Sequence, residues 1–366
     1  MTNQTGITQT GKRSVDYLSE LGVQVVTLYA PEHGITGNVD AGTGITDVTD
    51  EITGIPVVSL YEGDAGLCFK KDLDLTHLDY VLFDMQDSGM RHYTYISIMF
   101  YCMQIAAEKN IPFIVLDRPN PLGIIMEGPL VETNLLNFVA IAPLPVRHAL
   151  TIGEIALYFN EFCLTKKAAL TVITMPDYQR TTGFDNGFLI GLSPNLQSTQ
   201  ACFGYSFGCI LDNMRPFDVA LDTKNAFRWI GLPEQLCIEK NIDWQQLIDI
   251  CKKHGIKTSE PTMAKDHPHF KEPVKGINFT ISDINSFSAM NFLCQLINWI
   301  QQYDITFKYR PLINHIIGTK DYTQVLEGKL SIKGFKERVN KELQGFNQKI
   351  QPCLLYKPKP HIALLV

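Results

Sequence analysis

The sequence predicts an α/β fold in which a parallel sheet is covered on both faces, and three observations predict it. Short apolar runs alternate with helix-patterned stretches through the first half of the chain. Those runs are nearly continuous in apolar character, as strands buried on both faces must be. At 366 residues the chain is long enough for two units with separate cores, and beyond about residue 230 its pattern changes to longer helices. The predicted division is 1–230 and 231–366, with the boundary near Gly231-Leu232-Pro233.

Val23 to Tyr29 is rich in β-branched residues and reads as the first strand. A loop rich in glycine and acid follows, from Pro31 to Gly54. Pro56 to Tyr61 and Tyr80 to Asp84 are the next strands, then a helix from about Thr94 to Lys109, then a strand from Phe113 to Asp117. Thr151-Ile152-Gly153-Glu154 is a capping box, in which threonine and glutamate satisfy backbone donors of the first helical turn, so Glu154 reads as structural. Leu170 to Met175 is a further strand. In the second half Gly276 to Ile281 and Cys353 to Tyr356 are strand-like, and Lys333 to Lys349 is a helix with a lysine-rich exposed face.

Composition narrows the function classes. Hydrophobic residues at 45% and charged residues at 19% are ordinary for a globular protein. A net charge of -6, with no basic run, argues against a nucleic-acid backbone as partner. The nine cysteines, Cys68 to Cys353, include no C-x-x-C pair, so zinc-ribbon and thioredoxin-like chemistry are not expected. Cys102, Cys163, Cys237 and Cys294 sit among apolar neighbours and read as buried free thiols. No run reaches the roughly 18 apolar residues of a membrane span. Met1 leads directly into a polar stretch, Thr2 to Thr10, rather than a secretory leader. The expectation is a chain that stays where it is made, or a periplasmic or secreted one if its start lies upstream.

In a parallel α/β sheet the functional loops lie beyond the carboxyl ends of the strands. Three ends are chemically rich: Ala30-Pro31-Glu32-His33-Gly34, Phe83-Asp84-Met85-Gln86-Asp87-Ser88-Gly89 and Leu116-Asp117-Arg118-Pro119-Asn120-Pro121. A scaffold has little need for acids, an imidazole and an amide at three neighbouring strand ends, so their convergence marks the expected site. Asp84, Gln86, Asp87, Arg91, His92, Tyr93 and Tyr95 form its densest group. They admit a ligand site, or a salt bridge from Asp84 or Asp87 to Arg91 that holds the loop, and the two readings are compatible.

Other motifs are weaker. Gly42-Thr43-Gly44 lacks the third glycine of a dinucleotide loop, Asp47 standing there, and no nicotinamide or other cofactor is expected. Gly204-Tyr205-Ser206-Phe207-Gly208 has the form of a serine-hydrolase elbow, but that motif needs a strand before it and a helix after it. An esterase using Ser206 therefore ranks third among the functions considered. His254, His267 and His269 lack metal-ligand spacing and read as loop histidines, so no metal is expected.

The strand-end residues also carry a resemblance. Thr2-Asn3-Gln4-Thr5-Gly6, Pro31-Glu32-His33-Gly34, Phe83 to Ser97, Leu116 to Gly123, Glu127-Gly128-Pro129, Arg147 to Glu154 and Leu192-Ser193-Pro194-Asn195 follow in order over most of the first 200 residues. Together they resemble a bacterial family first known as a domain of unknown function and now associated with exo-acting β-N-acetylmuramidases. Weaker similarity runs through Lys275 to Asp283 to the end. The resemblance implies a Rossmann-like domain followed by a smaller C-terminal α/β domain. It implies release of N-acetylmuramic acid from the non-reducing ends of peptidoglycan fragments during cell-wall turnover and recycling. The partner is then a peptidoglycan-derived amino sugar, and the oligomeric state stays open.

On that basis Glu32 is the expected general acid, with His33 beside it to tune its proton affinity or bind the sugar. Asp84, Asp87 or Asp212 would activate water, unless the sugar's own acetamido oxygen takes that role. Arg91 or His148 would receive the lactyl carboxylate, which needs a charge-assisted donor. Gln86, Tyr93, Asn120, Glu127 and Asn195 would contact the sugar.

Two departures stand out. Family members usually begin with a strand before Thr2-Asn3-Gln4-Thr5-Gly6, at whose end Met1 stands here. Either the start lies upstream or an interior strand is lost, which would expose ladder groups and core. The family's Glu-Gly-Thr-Asn and Gly-Arg-Gly-Thr stretches appear as Asp212-Asn213-Met214-Arg215 and Ala220-Leu221-Asp222-Thr223. Those changes raise the second-ranked function, a diverged amino-sugar-binding protein without turnover; the intact Glu32 and Asp84 to Tyr95 stretches oppose it.

Overall fold

A computed structural model describes residues 1–62, 69, 73–182, 184, 191–265, 268–270 and 272–366. The first half runs α1 (Ser14–Glu20), β1 (Leu28–Ala30), β2 (Val48–Thr49), β3 (Pro56–Ser59), β4 (Val81–Phe83), α2 (Tyr95–Lys109), β5 (Phe113–Leu116), β6 (Ile125–Met126), α3 (Ile152–Phe162) and β7 (Leu170–Ile173). β1 pairs in parallel with β3, β4 with β5 and β5 with β7, while β2 is antiparallel on β3.

Met1 and Thr2 join these two groups of strands. Thr2 N donates to Tyr29 O, Asp84 N donates to Met1 O, and Thr2 bridges Asp84 in parallel. The lateral order is β3, β1, Met1–Thr2, β4, β5, β7. Numbered along the chain, the six parallel segments read 3-2-1-4-5-6. This is the doubly wound order of Rossmann-like folds, whose ligand crevice opens at the carboxyl ends where the order reverses. Here that point lies between Met1–Thr2 and β4, so the topology places Asn3 to Gly6 beside Asp84 to Asp87.

Toward the amino ends, the edges at Val23 to Leu28 and at Tyr80 to Leu82 line a groove of about 580 Å³ that runs up to Asp84. Val23 to Thr27 has strand composition but forms no strand, and Val23 and Val26 are exposed. β1 is consequently shorter than predicted. The capping box of α3 forms as expected, Thr151 accepting from Glu154 N and Glu154 from Thr151 N. Cys353 to Tyr356 is not a strand: Leu355 N donates to Glu154 and the Tyr356 hydroxyl to Asp117, which fixes an irregular path.

The second half contains α4 (Thr199–Asp212), β8 (Met214–Arg215), β9 (Trp229–Pro233), α5 (Glu234–Glu239), α6 (Trp244–Lys253), β10 (Ile256–Thr258), β11 (Thr262–Ala264), β12 (Val274–Ile281), α7 (Ala289–Gln301), β13 (Lys308–Tyr309), α8 (Ile313–Ile317), α9 (Asp321–Leu326), α10 (Ile332–Lys349) and β14 (His361–Ile362). β12 is antiparallel to β9, β10 and β11, and its burial nearly alternates, as a sheet with one covered face requires. α4 packs on β12 and against α7. α10 buries Phe335, Val339, Leu343 and Phe346 at helical spacing and turns its lysines outward. β14 returns to pair with β6, and one apolar cluster runs from Met1 to Leu365 through both halves.

Among the described residues no helix is long and apolar enough to cross a membrane. The eight described cysteines are free, with Cys102, Cys237 and Cys294 buried and Cys163 half-buried. Cys68 lies outside the described residues.

Candidate active site

Glu32 projects from the loop after β1 and is half-buried. Its Oε2 accepts from the Thr94 hydroxyl at 2.7 Å and its Oε1 from Gly42 N at 3.0 Å. The glycine-rich loop and the start of α2 thus hold the carboxylate between them. His33 has φ 71°, followed by Gly34 at 76°. The left-handed region costs a non-glycine residue roughly 1 kcal/mol or more, and such strain gathers at functional sites. His33 Nδ1 donates to Val39 O at 2.7 Å, which leaves Nε2 as the acceptor of the neutral ring.

Tyr93 and Tyr95 stand at the start of α2 with ring centroids 4.5 Å apart, and both hydroxyls donate to Leu192 O. They tie the Leu192 to Asn195 loop to the site. Burial raises the Tyr95 pKa, and the charges of Glu32 and Asp87 raise it further. Tyr205 of α4 packs edge-on against His92 and Tyr93.

The bridge from Asp84 or Asp87 to Arg91 does not form. Asp84 instead holds Arg118, at 2.7 Å to Nε and 2.6 Å to Nη2. A parallel sheet brings neighbouring strand ends together, and that proximity outweighs closeness in sequence. Arg91 is fully buried and donates to Pro129 O, Leu144 O and Ile316 O. Burial lowers its pKa to about 9. Both terminal nitrogens of its guanidinium are held by carbonyls, a structural engagement where a carboxylate receptor was expected.

His148 is corrected too. Its Nδ1 accepts from Leu150 N at 3.1 Å, so the ring is neutral with its proton on Nε2, 3.3 Å from Asp87 Oδ2. It cannot be the charged donor that a lactyl carboxylate needs.

Three expected sugar contacts are likewise internal. Gln86 gives its amide donors to Asp87 O and Pro119 O. Asn120 donates to Leu150 O and accepts from Leu122 N. Glu127 is fully buried against Arg147 at 3.0 Å and accepts from the Ser288 hydroxyl and the first amides of α7. Tyr93 is buried as well, its hydroxyl held by Leu192.

Asn195 and Asp212 belong to an outer wall. Asn195 exchanges hydrogen bonds with Asp222, whose carboxylate meets His269 at 2.7 Å. Asp212 ends α4 in an ion pair with Arg310 at 2.8 Å; burial raises its pKa and Arg310 opposes the rise. Ala220 and Asp222 hold φ of 55° and 59°, glycine-like conformations without glycine.

Among the described residues Asp84 Oδ2, Asp87 Oδ1, His148 Nε2 and both ring nitrogens of His92 are buried without a hydrogen-bond partner. Buried polar groups are normally satisfied, so their concentration at one crevice is informative. Burial pushes the His92 pKa down to about 3, with Arg91 adding to the fall, so this ring is neutral. Sequence reasoning placed His92 in the group without assigning it a role, and missed Thr94 and Arg118. Thr94 opens the helix after a strand-end loop, and Arg118 sits in a motif already singled out; those were the available signals.

Ser206 lies inside α4, where its hydroxyl donates to Phe203 O. A Cβ at Gly204 would come within 1.7 Å of Phe227 O, so that glycine serves helix packing, and the elbow reading is corrected. His254 caps α6 and is near no metal-type cluster; among the described residues no such cluster exists. His267 lies outside the described residues.

A family model described as the N-terminal part of the exo-β-N-acetylmuramidase NamZ matches residues 1–200, and the C-terminal model matches residues 203–356. The chain belongs to the NamZ family. A NamZ relative, the peptidoglycan β-N-acetylmuramidase of Bacillus subtilis strain 168, is 31% identical over 97% of this chain and 86% of its own length. Two solved DUF1343 family proteins of Bacteroides fragilis NCTC 9343 share the fold. One has a TM-score of 0.80 at 27% identity, covering 97% of this chain and 93% of the other. The second has a TM-score of 0.74 at 26% identity, covering 98% and 93%.

Proposed function

We propose that the chain hydrolyses β-N-acetylmuramides, releasing N-acetylmuramic acid from the non-reducing ends of peptidoglycan fragments, with Glu32 as general acid and Asp87 as the second carboxylate. The observation that carries this reading is the pairing of the acids. Asp84 and Asp212 are each bound to an arginine. Among the described residues, Glu32 meets only neutral donors and Asp87 keeps one buried oxygen unpartnered. The NamZ relative's activity supports the substrate class.

Glu32 delivers its proton to the glycosidic oxygen as the bond from that oxygen to the anomeric carbon breaks. The leaving sugar departs as the alcohol, and positive charge develops over the anomeric carbon and ring oxygen. Asp87, deep in the crevice, supplies negative charge toward that centre. Water then adds to the anomeric carbon and returns its proton to Glu32. Thr94 and Gly42 orient the carboxyl group through both transfers.

The test is incubation with muropeptide fragments that carry muramic acid at the non-reducing end, followed by mass spectrometry of released sugars. Free N-acetylmuramic acid is expected, and no free N-acetylglucosamine from fragments ending in that sugar. Binding of the fragments without release would point to the non-hydrolytic binding protein instead.

A further inference from the structure

Arg118 lies across the point where the strand order reverses. It follows β5, and its Nε and Nη2 donate to Asp84 Oδ1 at the end of β4. Nη2 also donates to Ile7 O at 3.0 Å, on the loop that leaves Met1–Thr2. One side chain thus bridges three neighbouring strand ends, over the crevice in which doubly wound folds take their ligands. Its backbone is held as well, Arg118 N donating to Asp117 Oδ1 at 2.9 Å and Pro119 O accepting from Gln86. Among the described residues Nη1 meets no acceptor, and it is not shut in: the side chain is 18% exposed.

We propose that Arg118, through Nη1, is the receptor for the lactyl carboxylate of muramic acid. This rests on the muramide reading above and adds to it the residue that separates N-acetylmuramic acid from N-acetylglucosamine. A carboxylate requires a charge-assisted donor. Arg91 and His148 are committed inside the protein, and Arg13 grips Asp16 and Asp50 with three nitrogens. Arg118 keeps a charged donor in hand because Asp84 takes only the Nε–Nη2 edge of the guanidinium. The planar cation then stands between the ligand's carboxylate and Asp84, which keeps the two anions on opposite edges. Glu32 and Arg118 follow strands three places apart, about 14 Å between backbones. Arg118 narrows that gap by reaching back over β4 to Ile7, leaving a span that one hexose ring with its acid arm can bridge.

The experiment is calorimetric titration of the whole protein with N-acetylmuramic acid, its methyl ester and N-acetylglucosamine. The ester keeps the sugar and the arm but not the negative charge. The variants are Arg118→Lys and the double variant Asp84→Asn with Arg118→Gln. In Arg118→Lys the single ammonium stays with buried Asp84 and has no far nitrogen for the ligand. The double variant removes both charges together, so neither is left buried and unpaired should the lysine variant fail to fold.

The wild type is expected to bind the acid roughly 30-fold more tightly than the ester or N-acetylglucosamine, and both variants to reduce that preference below about fivefold. Their affinity for the ester should stay within about threefold of wild type. A larger preference in either folded variant, no preference in the wild type, binding of no sugar, or equal weakening of acid and ester overturns the assignment. Hydrolysis of a chromogenic β-N-acetylmuramide is read separately. An Arg118-dependent preference in a protein that hydrolyses no muramide leaves the receptor standing and removes the hydrolase reading. Hydrolysis with a preference indifferent to Arg118 does the reverse.

Discussion

Asp117 ends β5 with its carboxylate accepting from Gly153 N, the Thr151 hydroxyl and the Tyr356 hydroxyl at 2.7 to 2.9 Å. Burial nevertheless raises its pKa from 3.8 to about 6, against the pull of those three bonds. The native protein therefore keeps this proton to higher pH than the unfolded chain. The group's stabilising contribution is complete below about pH 3.8 and is lost as pH rises through about 6. Asp117→Asn should flatten stability between pH 4 and 6.5 by roughly 2–3 kcal/mol in urea titrations; an unchanged slope would assign it to another group. Ala220, held at φ 55°, makes a second test at this scale. Ala220→Gly should stabilise by about 0.5–1 kcal/mol, seen as a higher Tm, whereas a lower Tm would contradict the left-handed geometry. The gathering of acids, an imidazole and tyrosines at these strand ends was legible in the sequence, because it depends on residue type and local spacing. Partners were not, because Arg118, 34 residues from Asp84, outcompetes Arg91 through sheet topology alone.

Elements show the same division. The α3 capping box was readable because both partners lie within one turn. The cap of α7 was not, because Glu127 reaches it from 161 residues away through Ser288. That contact converts an expected sugar ligand into the fastening between the two halves. Glu127→Gln leaves Arg147 buried beside a neutral amide and weakens the α7 cap, so a loss of about 3 kcal/mol or more is expected in denaturant titration, with His33 and Glu32 undisturbed. A loss under about 1 kcal/mol would show that Arg147 is satisfied by its backbone carbonyls. Val23 to Thr27 shows the limit of β-propensity, which describes fit to a pleated surface and supplies no ladder.

At the scale of the molecule, the site exists because the strand order reverses between Met1–Thr2 and β4, bringing three strand ends to one crevice. Alternation of strands and helices made the sheet legible, while its lateral order came only from the pairing of Met1 and Thr2. The central claim, that these strand ends form a muramide hydrolase, is tested most directly by hydrolysis of a chromogenic β-N-acetylmuramide by wild type and Glu32→Gln. The account predicts release by the wild type and a loss of about a thousandfold or more in the variant, with folding intact. Full activity in the variant, or none in a folded wild type, would contradict it.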